Sequence, residues 1–314
     1  MKTLQEVFTP LDTRRRYEVW FVRMGLADGS GAWWFRYLLF NPGRGGCSES
    51  PRGMPVQVWA TWFPRDGKPK SFVQGFPLAD LALSARRKNP FHFSCGPNEM
   101  GENFCRGALE VDGHRITWEL NYRSTFHGML SNKGWIGFSA TPHSDAVFSG
   151  RVELDGRSFA TEPLGFGVQG HNCGYRHRAF WLWAHAYFER PGNAPSSFEA
   201  LVYEMPFGLV FRKAVLWHKG KMWIFPGMTE HKRDREDFLW EFTAFSRDGT
   251  KVEVKFDGNG PARHCLAYVK TDCSGTFDVF NNSLSGAVVR LTHANGNIEE
   301  FRTVTGAVLE MTGI

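Results

Sequence analysis

The feature that most restricts the fold is the recurrence of Asp-Gly and Asn-Gly pairs between short apolar runs. Such pairs fall at 66–67, 112–113, 155–156, 248–249, 257–258 and 295–296. They supply the positive φ angles that two-residue hairpin turns require. Most sit between segments rich in aromatic and β-branched side chains, which is the composition of strands. No segment carries a long, capped stripe of period 3.6. Leu78–Lys88, "LADLALSARRK", is the single helix the pattern predicts, ended by Asn89-Pro90. The chain therefore reads as nearly all-β and antiparallel.

So much antiparallel sheet must hide its edges, and closure into barrels does so most completely. One barrel of about eight to ten strands would absorb roughly half of the strand-like runs, so two consecutive barrels are expected. A faint internal echo agrees: "GALEVDG" at 107–113 and "GRVELDG" at 150–156 share one pattern. The least strand-like connector is Ser124–Ser149, rich in Gly, Ser and Asn, which places the boundary near residue 145. The expected units are an N-terminal barrel over 1–145 and a C-terminal barrel over 146–314.

Composition narrows the function. Aromatic residues make up 15% of the chain, with 28 Phe and 12 Trp, which suits a bulky core or an aromatic-lined cavity. The net charge is +5, but Lys and Arg are dispersed among 32 acidic residues. A one-sided basic stripe is absent, so nucleic acid is not an expected partner. Cys47, Cys95, Cys105, Cys173, Cys265 and Cys273 form no Cys-x-x-Cys pair. Neither a zinc framework nor a dense disulfide scaffold is expected. The first residues lack the apolar run of a signal peptide and no window approaches a membrane span, so a cytoplasmic protein is expected. There is no P-loop or Gly-x-Ser-x-Gly elbow, and "GFGVQG" has no βαβ unit around it, so no cofactor is expected.

Chemistry concentrates in Gly165 to Tyr187, "GFGVQGHNCGYRHRAFWLWAHAY". Four glycines from Gly165 to Gly174 allow unusual backbone angles or close approach, in a hinged loop presenting His171 and Asn172. In Ala179–Phe188 the side chains alternate. Trp181, Trp183, His185 and Tyr187 take one face; Phe180, Leu182, Ala184, Ala186 and Phe188 take the other. The aromatic face either fills a closed core, with His185 satisfied by a buried partner, or lines a cavity with polar tips. His171 is either an acid or base near neutral pH or a histidine tying down its turn. The spacing of His171, His177 and His185 fits no metal set.

The "GHNCG" and "FWLWAHAYF" segments resemble the Gly-x-x-x-His-Asn-Trp-Gly loop and Trp-rich strand of the AttH-like, hydroxyneurosporene-synthase (carotenoid hydratase) superfamily. Tocopherol cyclase is a more distant relative. "GRVELDGRSFATEPLGFG" resembles that family's entry into its second barrel. The resemblance implies two lipocalin-like (calycin) barrels in tandem over the whole chain and non-redox chemistry without a cofactor, either hydration or cyclisation. The hydratase loop reads Gly-Tyr-x-Asp-His-Asn-Trp-Gly, its aspartate being the expected proton donor to an isoprenoid double bond. Here Val168 stands for the Tyr, Gly170 for the Asp and Cys173 for the Trp; Gly167, His171, Asn172 and Gly174 match. Protonating an alkene needs an acid in a dry pocket, so His171 or Glu162 would have to serve. The expectation is a hydrophobic, isoprenoid- or polyketide-like ligand bound by Asn172, Trp181, Trp183, His185 and Tyr187. The alternative is a lipid carrier that uses the same cavity without chemistry.

Overall fold

The computed structural model describes residues 7–84, 90–131, 137–189 and 195–313. Its first thirteen strands form one sheet: β1 Tyr17–Leu26, β2 Gly31–Phe40, β3 Val56–Pro64, β4 Lys70–Phe76, β5 Leu81–Ser84, β6 His92–Cys95, β7 Asn98–Gly101, β8 Phe104–Val111, β9 His114–Arg123, β10 Gly128–Ser131, β11 Gly137–Leu154, β12 Arg157–Phe159 and β13 Gly165–Gly174. The remaining ten form the second: β14 Trp181–Phe188, β15 Ser196–Glu204, β16 Val210–His218, β17 Lys221–Phe225, β18 Gly227–Asp234, β19 Leu239–Phe245, β20 Lys251–Asp257, β21 His264–Val269, β22 Thr276–Thr292 and β23 Ile298–Thr312.

The first sheet runs in the order β4-β3-β2-β1-β13-β11-β9-β8-β7-β6-β5, with β10 and β12 added to β11. It curls until β4 meets β8. The second runs β17-β16-β15-β14-β23-β22-β20-β19-β18 and curls until β18 meets β16, with β21 added to β22. The strand pairings along β1, β2, β13, β14 and β23 are antiparallel. The fold is all-β and lipocalin-like, as expected. Asp112-Gly113 and Asp155-Gly156 turn with positive φ at both positions (51° and 77°; 51° and 83°), the hairpin geometry those pairs favour.

Three sequence expectations change. Leu78–Asp80 is a single 3-10 turn and Leu81–Ser84 is a strand on the sheet edge, not a helix; residues 85–88 of the expected helix lie outside the described residues. Pairing with β6 prevails over the weak helical preference of an Ala- and Leu-rich run. The segment taken as a connector contains most of β11. Its register against β13 shifts between Ala140 and His143 and again between His143 and Ala146. Two irregularities erase the period-2 signal by which a strand is recognised. β13 is the last strand of the first sheet and β14 the first of the second, so the change of sheet falls between Gly174 and Trp181.

Third, Gly165–Gly174 is a strand and not a loop, and none of its glycines has positive φ. A Cβ at Gly167 would lie 2.0 Å from the Arg23 carbonyl oxygen, and one at Gly170 would lie 2.2 Å from Phe21 Cζ. These glycines allow close approach of β1, not an unusual turn.

Each barrel has its own apolar core. Trp20, Trp33, Phe35 and Trp118 fill the first; Phe198, Trp240, Phe242 and Phe256 fill the second. A third cluster, including Phe21, Trp34, Trp59, Trp183 and Val308, lies between the outer faces of the two sheets. Arg23, fully buried on β1, crosses this boundary and donates to the carbonyls of Ser283, Ala307 (2.9 Å) and Gly306 (3.2 Å). Those carbonyls lie where the β22–β23 register shifts, so the irregular ladder leaves acceptors that the guanidinium takes. A Cys47–Cys273 disulfide also joins the two halves.

Candidate functional site

The two-faced strand β14 divides as its alternation requires. Leu182, Ala184, Ala186 and Phe188 enter the core of the second barrel. Trp181, Trp183, His185 and Tyr187 point the other way, toward the first barrel. The interior of the second barrel is packed, and the aromatic face forms part of a cleft between the barrels. That cleft occupies about 1060 Å³, its open mouth included. One wall carries Tyr17, Val19 and Phe21 of β1 and Trp34, Arg36 and Leu38 of β2. The other carries Trp181 and Trp183, Glu199 and Tyr203 of β15, Tyr268 of β21 and Glu310 of β23.

The residues expected to form the site are only partly brought together. Asn172, Trp181 and Trp183 line the cleft. His185 is buried between the barrels, where Nε2 donates to the Ser144 carbonyl (2.7 Å); burial lowers its pKa to about 3, so it is neutral. Tyr187 is also buried there, stacked on Phe166 with ring centroids 4.9 Å apart. His171 faces the opposite way, into the first barrel. It is fully buried between the rings of Phe8 and Trp20, with Nε2 2.8 Å from Glu18 Oε1. Glu18 in turn accepts the backbone N–H groups of Phe8 and Thr9, so His171 helps fasten the N-terminal segment. Period-2 alternation explains the separation, because His171 and Asn172 are neighbours and point to opposite faces. Glu162 is exposed in the turn before β13 and does not line the cleft.

The cleft contains two carboxylates that the sequence reading did not single out. Glu199, 2% exposed, accepts the Trp183 indole N–H on Oε1 (2.8 Å) and the Thr141 hydroxyl on Oε2 (2.5 Å). Burial raises its pKa from 4.5 to about 7, although these hydrogen bonds and the charge of Lys213 pull the other way. Glu310, 8% exposed, accepts the Trp181 indole N–H on Oε1 (2.8 Å) and Asn281 Nδ2–H on Oε2 (3.3 Å). Burial raises its pKa also.

The register produces this arrangement. Trp183 pairs with Glu310 and His185 pairs with Glu199, while Trp181 pairs with Thr312 and Trp183 with Leu201. Each tryptophan therefore reaches diagonally to the glutamate one same-face step along, one on β23 and the other on β15. A single carboxylate on an otherwise apolar strand face is the sequence signal, visible in "SSFEALVYE" and "TGAVLEMT".

Apart from Ser139, Asn172 and Cys173, the cleft's other polar groups are aromatic or cationic. His177 stacks on Tyr17 at 4.2 Å; burial, assisted by the charge of Arg36, lowers its pKa to about 3. Burial raises Tyr17 and Tyr268 well above the ordinary tyrosine range, so both remain neutral phenols. Among the described residues no group of three His, Cys, Asp or Glu side chains could hold a metal ion. None of the described helices is long and apolar enough to cross a membrane.

Two antiparallel barrels with an acid-bearing aromatic cleft between them define a two-barrel, lipocalin-like protein. Solved structures of this class resemble it along nearly the whole chain. CghA bound to Sch210972 aligns over 95% of this chain and 88% of its own, with TM-score 0.58 and 15% identity. Kievitone hydratase from Nectria haematococca aligns over 98% and 93%, with TM-score 0.54 and 10% identity. A protein from Nitrosomonas europaea named for AttH covers 97% of this chain and 94% of its own, with TM-score 0.48 and 13% identity. The first two likenesses support the two-barrel fold that the sequence suggested. No family model matches the chain, and no curated protein matches it.

Proposed function

We propose that the inter-barrel cleft binds a hydrophobic small molecule and that Glu199 protonates it, in a cofactor-free hydration or cyclisation. The observation that carries this reading is the Glu199 carboxyl, buried in an aromatic cleft with a pKa of about 7. Such a group is partly protonated near neutral pH and can both give and retake a proton. Trp183 and Thr141 hold its two oxygens in place. The indole faces of Trp181 and Trp183 stabilise positive charge developing on the substrate. In a hydration, the Glu199 proton would add to one alkene carbon and water to the other; the proton lost by that water returns a carboxyl group to its acid form. In a cyclisation, a second double bond of the same molecule replaces water as nucleophile, and the cation this leaves loses a proton to the Glu199 carboxylate, which restores the acid and forms a new double bond.

One relative of the same fold is named as a hydratase and another was solved with Sch210972 in place, which supports a small organic ligand here. The Cys47–Cys273 bridge favours an oxidising compartment over the cytoplasm. Native mass spectrometry of the purified protein with an apolar ligand panel tests the cleft: no adduct at any concentration counts against it. With a ligand in hand, Glu199→Gln should keep binding and lose turnover. A wild-type protein that binds the ligand and never converts it would instead be a carrier.

A further inference from the structure

Arg36 is 2% exposed and lines the cleft from β2. Its guanidinium lies over the rings of Trp59 (3.9 Å to the centroid) and Trp34 (4.3 Å), with the Tyr268 ring at 5.0 Å. Nη1 donates to the Tyr268 hydroxyl. Nε and Nη2 are buried and have no hydrogen-bond partner. A buried cation whose donors are unmade is costly, so a fold that retains one gives it a partner. No side chain of the described residues supplies it. The nearby cation Arg52 donates to the Ala267 carbonyl and repels Arg36. Glu310 feels the charge of Arg36, but its hydrogen bonds go to Trp181 and Asn281, and His177 beside Arg36 is neutral.

We infer that Arg36 is the anion-binding end of the cleft, and that the ligand carries a carboxylate or comparable planar oxyanion on its apolar body. The inference rests on the proposed ligand-binding role of the cleft and names the chemical class of that ligand. The Nε–Nη2 edge presents two parallel N–H donors, the spacing at which a carboxylate is taken in bidentate fashion. The indoles fix the plane of the guanidinium, so the edge is preorganised and little rotamer freedom is lost on binding. The adjoining opening, which shares His177 and Arg178 with the cleft, has five cationic side chains and three acidic ones. An anionic ligand is drawn toward such a mouth. With its acid group on Arg36, an amphiphilic substrate would extend its apolar part across the two tryptophans that hold Glu310 and Glu199.

The test uses two probes of one shape, 2-naphthoate and its uncharged amide 2-naphthamide, titrated calorimetrically into the full chain. The wild type should bind naphthoate at least tenfold more tightly than the amide. Arg36→Gln should erase that preference by weakening naphthoate alone, and Arg36→Lys should recover only part of it, because an ammonium lacks the paired donors. Equal affinities for the two probes in the wild type overturn the inference, as does an unchanged naphthoate affinity in a folded Arg36→Gln. In both of those cases the cleft remains a binding site. If neither probe binds the wild type, the ligand-binding reading falls first and the inference with it. Should Arg36→Gln fail to fold, the wild-type comparison between the two probes decides.

Discussion

Replacing Glu199 with Gln should make the protein more stable at alkaline pH while removing its acid. The folded-state pKa is raised by burial from 4.5 to about 7. Between those values the folded protein holds a proton that the unfolded chain has released. The stabilisation from this group is therefore complete below pH 4.5, declines as pH rises toward 7, and is lost above it. At about 1.4 kcal/mol per pH unit the total is about 3 kcal/mol, with no screening discount for a fully buried group. Gln occupies the same volume; its oxygen can accept from Trp183 and its amide can donate to the rotated Thr141 hydroxyl. The variant should match the wild type within about 1 kcal/mol at pH 4.5 and exceed it by about 2–3 kcal/mol at pH 8. Urea denaturation followed by tryptophan fluorescence, repeated across that range, measures the difference. A stability difference that stays flat from pH 4.5 to pH 8 would show that Glu199 does not titrate there, and would refute both the raised pKa and the proton-donor role.

Three further outcomes follow from the same geometry. Trp183→Phe removes a hydrogen bond to the ionised form of Glu199, which should move the pH profile of any turnover upward by about one pH unit; an unmoved profile contradicts the pairing. Gly170→Asp, which introduces the acid of the hydratase loop that this segment resembles, should not confer that loop's chemistry. Its Cβ would meet the Phe21 ring at 2.2 Å, and the thermal midpoint should show a loss of about 1–3 kcal/mol from overpacking; a fully stable variant refutes the steric argument. Opening the Cys47–Cys273 bridge with reductant releases a constraint between residues 226 apart in the sequence. By loop entropy this should cost about 5 kcal/mol, read as a lower urea midpoint that Cys47→Ser reproduces.

The repeated turn pairs and the two-sided pattern of β14 made the all-β fold and the outward aromatic face legible before any coordinates. Trp181, Trp183 and Asn172 reach the cleft because alternation puts them there, and alternation is a local property. Of the two roles open to His171, the tie that fastens a neighbouring segment fits the structure: it is adjacent to Asn172, and adjacency in a strand means opposite faces. Glu199 and Glu310 were harder to see. Each is the one carboxylate that its strand contributes to the cleft, and what gives them meaning is the cross-strand register that sets a tryptophan beside each one. Arg36 is similar, since its isolation appears only when Trp34, Trp59 and Tyr268 are brought around it from three strands. The Cys47–Cys273 bridge was invisible for the same reason: pairing over such a separation depends on how the two barrels dock, through the apolar cluster between them and the Arg23 hydrogen bonds.

The cleft is built from the outer faces of two barrels whose cores are packed separately. A barrel that holds its ligand inside must trade binding specificity against its own folding, because each lumen residue is also a core residue. Here Leu38, Asn172, Leu201 and Tyr203 can vary in size and polarity without leaving a void in either barrel. Such a scaffold is free to drift among substrates while its folding instructions remain fixed. It follows that sequences sharing this architecture should diverge most steeply along the seam between the barrels, and that laboratory selection for new ligands should begin there.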